Sequence, residues 1–173
     1  VSFQIDTDWK LGFIGRNGRG KTTLLNLLLG KYDYRGKISA SVTFDYFPFE
    51  VEDKSRTTID IIDSINNSYE VWELNRELSL LDVDQDVLYR PFETLSNGEQ
   101  TKVLLAALFL KEQNFLLLDE PTNHLDEEGK ETIAEYLKKK KGFILVSHDR
   151  DFLDKIIDHV LSVNKTNIDI IRG

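Results

Sequence analysis

The run Gly15-Arg16-Asn17-Gly18-Arg19-Gly20-Lys21-Thr22 most constrains what this chain can fold into. It satisfies the phosphate-loop pattern G-x-x-x-x-G-K-[ST] at every specified position, and that pattern requires a strand before it and a helix after it. Lys10 to Ile14 reads as the strand, and Thr22 to Leu29 as a Leu-rich helix closed by Gly30, a residue suited to the position just past a helix C-terminus. A chance glycine-rich turn is the competing reading, and it explains neither neighbour. The glycines let backbone N–H groups of Asn17, Gly18, Arg19 and Gly20 turn toward phosphates, while the positive end of the helix favours the anion. Lys21 is expected to reach the β- and γ-phosphates, Thr22 to place its hydroxyl on Mg2+, and Thr23 to add a further phosphate contact.

A second motif, Phe115-Leu116-Leu117-Leu118-Asp119-Glu120, is an uninterrupted apolar run ending in two acids. Such a run fits a strand buried on both faces of a parallel sheet, and its acids fall at the C-terminal edge, where open α/β sheets bind ligands. Asp119 is expected to hold Mg2+, directly or through water, leaving Glu120 to orient and deprotonate an attacking water. The alternative is that one or both acids cap the helix following Asn123.

Between these motifs lies Leu95 to Gln100, LSNGEQ. Ser96 and Glu99, followed by Val103, Leu104, Ala106, Ala107, Leu108 and Leu110, have the form of a capping box opening an amphipathic helix. That alone gives a structural reason for both residues. The same physics makes an exposed helix start with a backbone-accessible Gly98 an anion site, so Ser96, Gly98 and Glu99 are candidate γ-phosphate contacts. Within one chain this helix start is expected to point away from its own phosphate loop, so the phosphate would come from a partner.

The combination resembles the ATP-binding cassette (ABC) ATPases: LSNGEQ is similar to their LSGGEQ signature, and Phe115 to Asp126, FLLLDEPTNHLD, to their Walker B and D-loop. Thr122-Asn123-His124-Leu125-Asp126 and Ser147-His148-Asp149-Arg150-Asp151-Phe152-Leu153 resemble the ABC-F translation factors. Gly15 to Leu25, Thr101 to Ala106 and Lys139 to Asp149 are similar to the Lsa/Vga group, and the chain to an N-terminal cassette of it. The resemblance implies a P-loop α/β nucleotide-binding domain and Mg2+-dependent ATP hydrolysis. It further implies a sandwich with a second cassette, in tandem or as a homodimer, and ribosome protection against antibiotics through segments outside this chain. By it, His148 contacts the γ-phosphate, Asp126 sits at the dimer interface, and the isolated domain is weakly active.

Two departures stand out. Asn97 replaces the first of the two glycines in the signature, where its side chain could cap the helix or crowd a phosphate. After the strand Val42 to Phe47 the family places a glutamine, but this chain reads Phe47-Pro48-Phe49-Glu50, leaving Glu50 or Glu52 as possible substitutes. The family's adenine-stacking segment, upstream of a strand at Val1 to Ile5, is not found, and the chain has no methionine, so an excised domain is expected. The alternatives are the ATPase subunit of an ABC membrane transporter and a DNA-repair or chromosome-structure cassette. The Thr122-Asn123-His124 wording and the missing glutamine argue against the first, and the lack of coiled-coil heptads against the second.

Composition narrows the remainder. The 173 residues suffice for one domain, 1–173, burying roughly two thirds of its unfolded-chain surface. The longest apolar run, Val103 to Leu110, falls short of the roughly 20 residues needed to span a bilayer. With no signal peptide and no cysteine, a cytoplasmic protein is expected. A formal net charge of −8 argues against direct nucleic-acid gripping, DNA included, and Lys138 to Lys141 reads as a solvated helix end. His124, His148 and His159 lack zinc-site spacing. Phe143 to Val146 should pair in parallel with Phe115 to Leu118, connected by a helix over Asp126 to Lys140, and His159 to Val163 with Asn167 to Ile171 should form a terminal hairpin. A helical subdomain is expected at about 53–111, with helices over Thr57 to Ile65 and Tyr69 to Leu81 burying Ile59, Ile62, Ile65, Trp72, Leu78 and Leu81.

Overall fold

Strand-forming runs of Leu, Ile, Val and Phe assemble a six-stranded sheet in the computed structural model, which describes residues 10–14, 43–112, 114–163 and 168–172. The strands are β1 (Lys10–Ile14), β2 (Thr43–Phe47), β3 (Asn114–Asp119), β4 (Phe143–Val146), β5 (His159–Val163) and β6 (Ile168–Arg172), in the order β2-β3-β4-β1-β5-β6. All neighbours run parallel except β5 and β6. The expected β3/β4 pair is present with Asp119 opposite Val146, and so is the antiparallel terminal pair, with β6 one residue later than anticipated. Phe115 to Leu118 and Phe143 to Val146 are buried throughout, the pattern of strands covered on both faces. A Cβ at Gly12 of β1 would come within 2.5 Å of Ile157 Cδ1, so that side chain would have to shift.

Among the described residues the helices are α1 (Thr58–Ile65), α2 (Val71–Leu80), α3 (Asn97–Phe109), α4 (Glu127–Lys138) and α5 (Arg150–Ile156), with 3-10 turns at Gln85–Tyr89 and Phe92–Thr94. The chain divides into two compact units: Val1–Phe47, Gln113–Glu120 and Lys140–Gly173 carry the sheet, and Pro48–Glu112 with Pro121–Lys139 carry α1 to α4. α4 connects the parallel strands β3 and β4, as a crossover helix over Asp126 to Lys140 predicts, and it groups with the second unit.

One expectation for that unit is corrected. Trp72 is 61% exposed and Ile59 and Ile65 are only half-buried. The buried stripe of α2 is Leu74, Glu77 and Leu78, continued by Leu81, the i, i+3, i+4, i+7 face of a helix. Trp72 points the other way, with the Arg76 guanidinium 5.3 Å from its ring centroid. Glu77 is 1% exposed and accepts a hydrogen bond from the Tyr136 hydroxyl of α4 at 3.0 Å. Tyr136 is itself fully buried and meets Phe109 edge to face at 5.6 Å. Burial, then the charge of Glu77 and its hydrogen bond, push the Tyr136 phenol well above the usual tyrosine range.

Candidate active site

The parallel β3/β4 ladder continues one step past Asp119, where the Glu120 N–H donates to the Val146 carbonyl at 2.8 Å. At Glu120 the backbone turns sharply, with φ at 51°. This left-handed conformation disfavours a residue with a Cβ, and such departures cluster at functional sites. It brings Glu120 to the turn after β4, where Oε1 accepts from the His148 backbone N–H at 3.0 Å and lies 3.0 Å from His148 Nδ1. Nδ1 must carry a hydrogen to donate to the carboxylate. The His148 side chain is 84% exposed and that of Glu120 is 23% exposed, so the pair faces solvent through the imidazole.

The His148 turn is held on both sides. Ser147 Oγ accepts from the Asp149 N–H at 3.1 Å, and Asp149 Oδ1 accepts from the Phe152 N–H at 3.1 Å, capping α5. On the other side of β3, the Tyr46 hydroxyl of β2 donates to Asp119 Oδ2 at 2.8 Å. Burial, followed by this hydrogen bond and the carboxylate charge, raises the Tyr46 phenol to about 12, so it keeps its proton at neutral pH. Sequence reasoning brought Asp119, Glu120 and His148 to one sheet edge, and the structure places them there. Tyr46 escapes a sequence reading because its pairing with Asp119 is long-range, whereas Ser147 lies inside the stretch Ser147 to Leu153 but was given no role of its own.

The second unit carries the other candidates. Ser96 caps α3: its Oγ accepts from the Glu99 N–H at 3.1 Å, and Glu99 Oε1 accepts from the Ser96 N–H at 3.0 Å, the expected capping box. Asn97 is therefore the first residue of α3 rather than its cap, and it is exposed. Gln100, to which sequence reasoning gave no role, donates from Nε2 to the Phe92 and Leu95 carbonyls, both at 3.2 Å, and so fixes the turn that delivers the helix start. A Cβ added at Gly98 would meet Leu125 Cδ2 at 3.6 Å and Ser96 Oγ at 4.0 Å, both ordinary contacts, so this unit's packing does not itself demand glycine there. The reading of Asp119 or Glu120 as the cap of α4 is corrected, because Asp126 Oδ1 fills that role by accepting from the Gly129 N–H at 2.7 Å. Glu50 and Glu52 are both exposed. The phosphate-loop candidates Asn17, Gly18, Arg19, Gly20, Lys21, Thr22 and Thr23 lie outside the described residues, as does the strand anticipated at Val1 to Ile5.

Residues 1–123 match the protein family described as ABC transporter, which covers the phosphate loop, LSNGEQ and the Asp119-Glu120 edge. The chain belongs to the ABC ATPase family. Among curated relatives, the cassette is 36% identical over 178 residues to the ribosome protection protein VmlR of Bacillus subtilis, covering 98% of this chain and 32% of that protein. It is 37% identical over 162 residues to the ATP-binding protein Uup of Buchnera aphidicola, covering 86% of the chain and 27% of the relative. It is also 33% identical over 171 residues to ABC transporter F family member 2 of Arabidopsis thaliana, covering 94% and 25%. The chain thus spans about a third or less of the length of these relatives. Among solved structures, a dimeric bacterial ABC transporter cassette superposes with a TM-score of 0.71 at 17% identity, covering 98% of this chain and 88% of that one. An archaeal ribosome recycling factor, in complex with a ribosomal stalk protein, does so with 0.69 at 28% identity, covering 89% and 31%. The cassette is an ATP-binding ATPase domain of α/β architecture. No helix among the described residues is long and apolar enough to cross a membrane.

Proposed function

We propose that this cassette hydrolyses ATP in a sandwich with a second cassette, and that closing and opening of the sandwich is the switch by which a cytoplasmic ABC-F protein acts on the ribosome. The two compact units are read as the core and helical subdomain of one nucleotide-binding domain, 1–173. The observation that carries the catalytic part is the Glu120 carboxylate, turned by its left-handed backbone to the C-terminal sheet edge and held 3.0 Å from His148. The ribosomal part rests on the likeness to VmlR, a ribosome protection protein, over nearly the whole chain. Antibiotic resistance by ribosome protection is the physiological role this favours.

In this mechanism Glu120 accepts a proton from water as the water oxygen bonds to the γ-phosphorus. The bond from that phosphorus to the β–γ bridging oxygen breaks, and its electron pair departs on ADP. Lys21 and the backbone of Asn17 to Gly20 hold the phosphates, and Thr23 adds a contact. His148 keeps the Glu120 carboxylate oriented and faces the γ-phosphate through its exposed ring. Ser96, Gly98 and Glu99 of the partner cassette close the site, with α3's free N–H groups toward the phosphate. Asp119 is a half-buried carboxylate at a ligand-binding edge, and a hard-oxygen set of Asp119 with the Thr22 hydroxyl suits Mg2+, which takes one or two protein oxygens beside substrate phosphates. When bound, that ion supplies Lewis-acid neutralisation of the phosphate oxygens.

The test is Glu120→Gln in the full-length polypeptide, sedimented with ribosomes in Mg-ATP and in Mg-ADP. Co-sedimentation in ATP alone is expected. Recovery in membranes with no ribosome association would overturn the ribosomal reading and favour a transporter ATPase subunit.

A further inference from the structure

Tyr46 lies outside every motif that pointed to nucleotide chemistry, yet it touches the carboxylate on which the metal–nucleotide reading rests. β2 and β3 run parallel with Tyr46 opposite Leu117. Side chains alternate along a strand, so Leu117 and Asp119 share the face to which Tyr46 belongs, and Asp119 lies one diagonal step beyond its partner. That step is about 7–8 Å between backbones, within reach of an aromatic side chain. The phenol spans it and donates to Asp119 Oδ2 at 2.8 Å. The Asp119 carboxylate is half-buried, and the Tyr46 donor on the neighbouring strand fixes the direction of its Oδ2. Groups that hold a metal's carboxylate in this way tune its affinity as strongly as many ligands do.

We propose that Tyr46 is a positioning residue for the metal–nucleotide site: its hydroxyl fixes the plane of the Asp119 carboxylate and thereby sets the Mg2+ dependence of ATP binding. This rests on the reading of Asp119 as the metal carboxylate. A purely structural hydrogen bond would instead contribute to the sheet alone and leave Mg2+ dependence untouched.

The experiment compares the unaltered protein with Tyr46→Phe, which removes one oxygen and keeps the ring. Binding of a fluorescent ATP analogue is followed across a Mg2+ titration and again in EDTA. Tyr46→Phe should need about 10- to 100-fold more Mg2+ to reach half its metal-dependent affinity, with binding in EDTA unchanged. In an Asp119→Asn background the further change Tyr46→Phe should have no effect. An unchanged Mg2+ requirement, an equal loss with and without Mg2+, or an undiminished effect in the Asp119→Asn background would each overturn the proposal. If the unaltered protein gains nothing from Mg2+, the metal reading of Asp119 itself falls, and the proposal with it. A second measurement is independent of the variant's stability. A 3-fluorotyrosine at position 46 should shift its fluorine resonance on adding Mg2+ with ATP and not ATP in EDTA, and a resonance indifferent to Mg2+ would overturn the assignment.

Discussion

Among the described residues, one tyrosine–carboxylate pair from each compact unit shows the same bond in opposite surroundings. In the helical unit Tyr136 donates to Glu77 at 3.0 Å, with Tyr136 fully buried and Glu77 1% exposed. In the sheet unit Tyr46 donates to Asp119 at 2.8 Å, with both residues only half-buried. A carboxylate sealed among side chains is bound to its donor by the desolvation it would otherwise suffer, so the pair acts as part of the packing. The Asp119 carboxylate is sealed less completely, with one oxygen on Tyr46, so on the proposed reading the same donor can orient it for a ligand. Burial, more than the bond, decides whether such a pair serves stability or chemistry.

The sharpest way to break this comparison is at the open edge. Glu120→Gln should slow single-turnover ATP hydrolysis by roughly 10² to 10⁴, while the melting temperature hardly moves because the amide still accepts from the His148 N–H. Undiminished hydrolysis would remove Glu120 from the role of base. In the sealed pair the balance should invert: Tyr136→Phe leaves Glu77 one donor fewer and should cost about 1–3 kcal/mol in urea unfolding, with ATP affinity unchanged. Ser96 lies between these extremes. Ser96→Ala should cost about 1 kcal/mol through the lost cap, whereas Ser96→Asp keeps the cap and places a negative charge toward the partner's phosphate. If the helix start binds nucleotide, Ser96→Asp melts normally and no longer dimerises in ATP, as followed by light scattering. The smallest effect should appear in alkaline solution. Because the folded state holds the Tyr136 proton more tightly than the unfolded chain, stability is complete below the unfolded value near 10 and declines as pH rises above it. Tyr136→Phe should flatten that decline in urea titrations between pH 8 and 11.

Local patterns made much of this molecule legible in advance. The apolar runs of β3 and β4 declared buried strands, and the Ser96/Glu99 box declared the start of α3, because each depends on residues a few positions apart. What escaped depends on long-range pairing. Tyr46 meets Asp119 only because β2 and β3 are neighbours, 73 positions apart in the chain, and α4 joins the helical unit through a tyrosine whose partner lies 59 positions away. Trp72 misled because a large apolar residue at helical spacing was assigned inward, while the buried place went to a glutamate. Charged residues are almost never fully buried unless paired, and the pairing partner was out of sequence reach.

The left-handed backbone of Glu120 has a consequence for the history of such chains. Glycine or asparagine would sit at φ 51° more comfortably than glutamate, by about 1–2 kcal/mol for glycine. Backbone strain at position 120 therefore favours residues that cannot take a proton from water, and the hydrogen bonds between Glu120 and His148 oppose that drift. On the proposed reading of Glu120 as the base, selection for turnover is what holds glutamate in place. In a lineage whose cassette had become a passive nucleotide holder, this codon should be among the first to change.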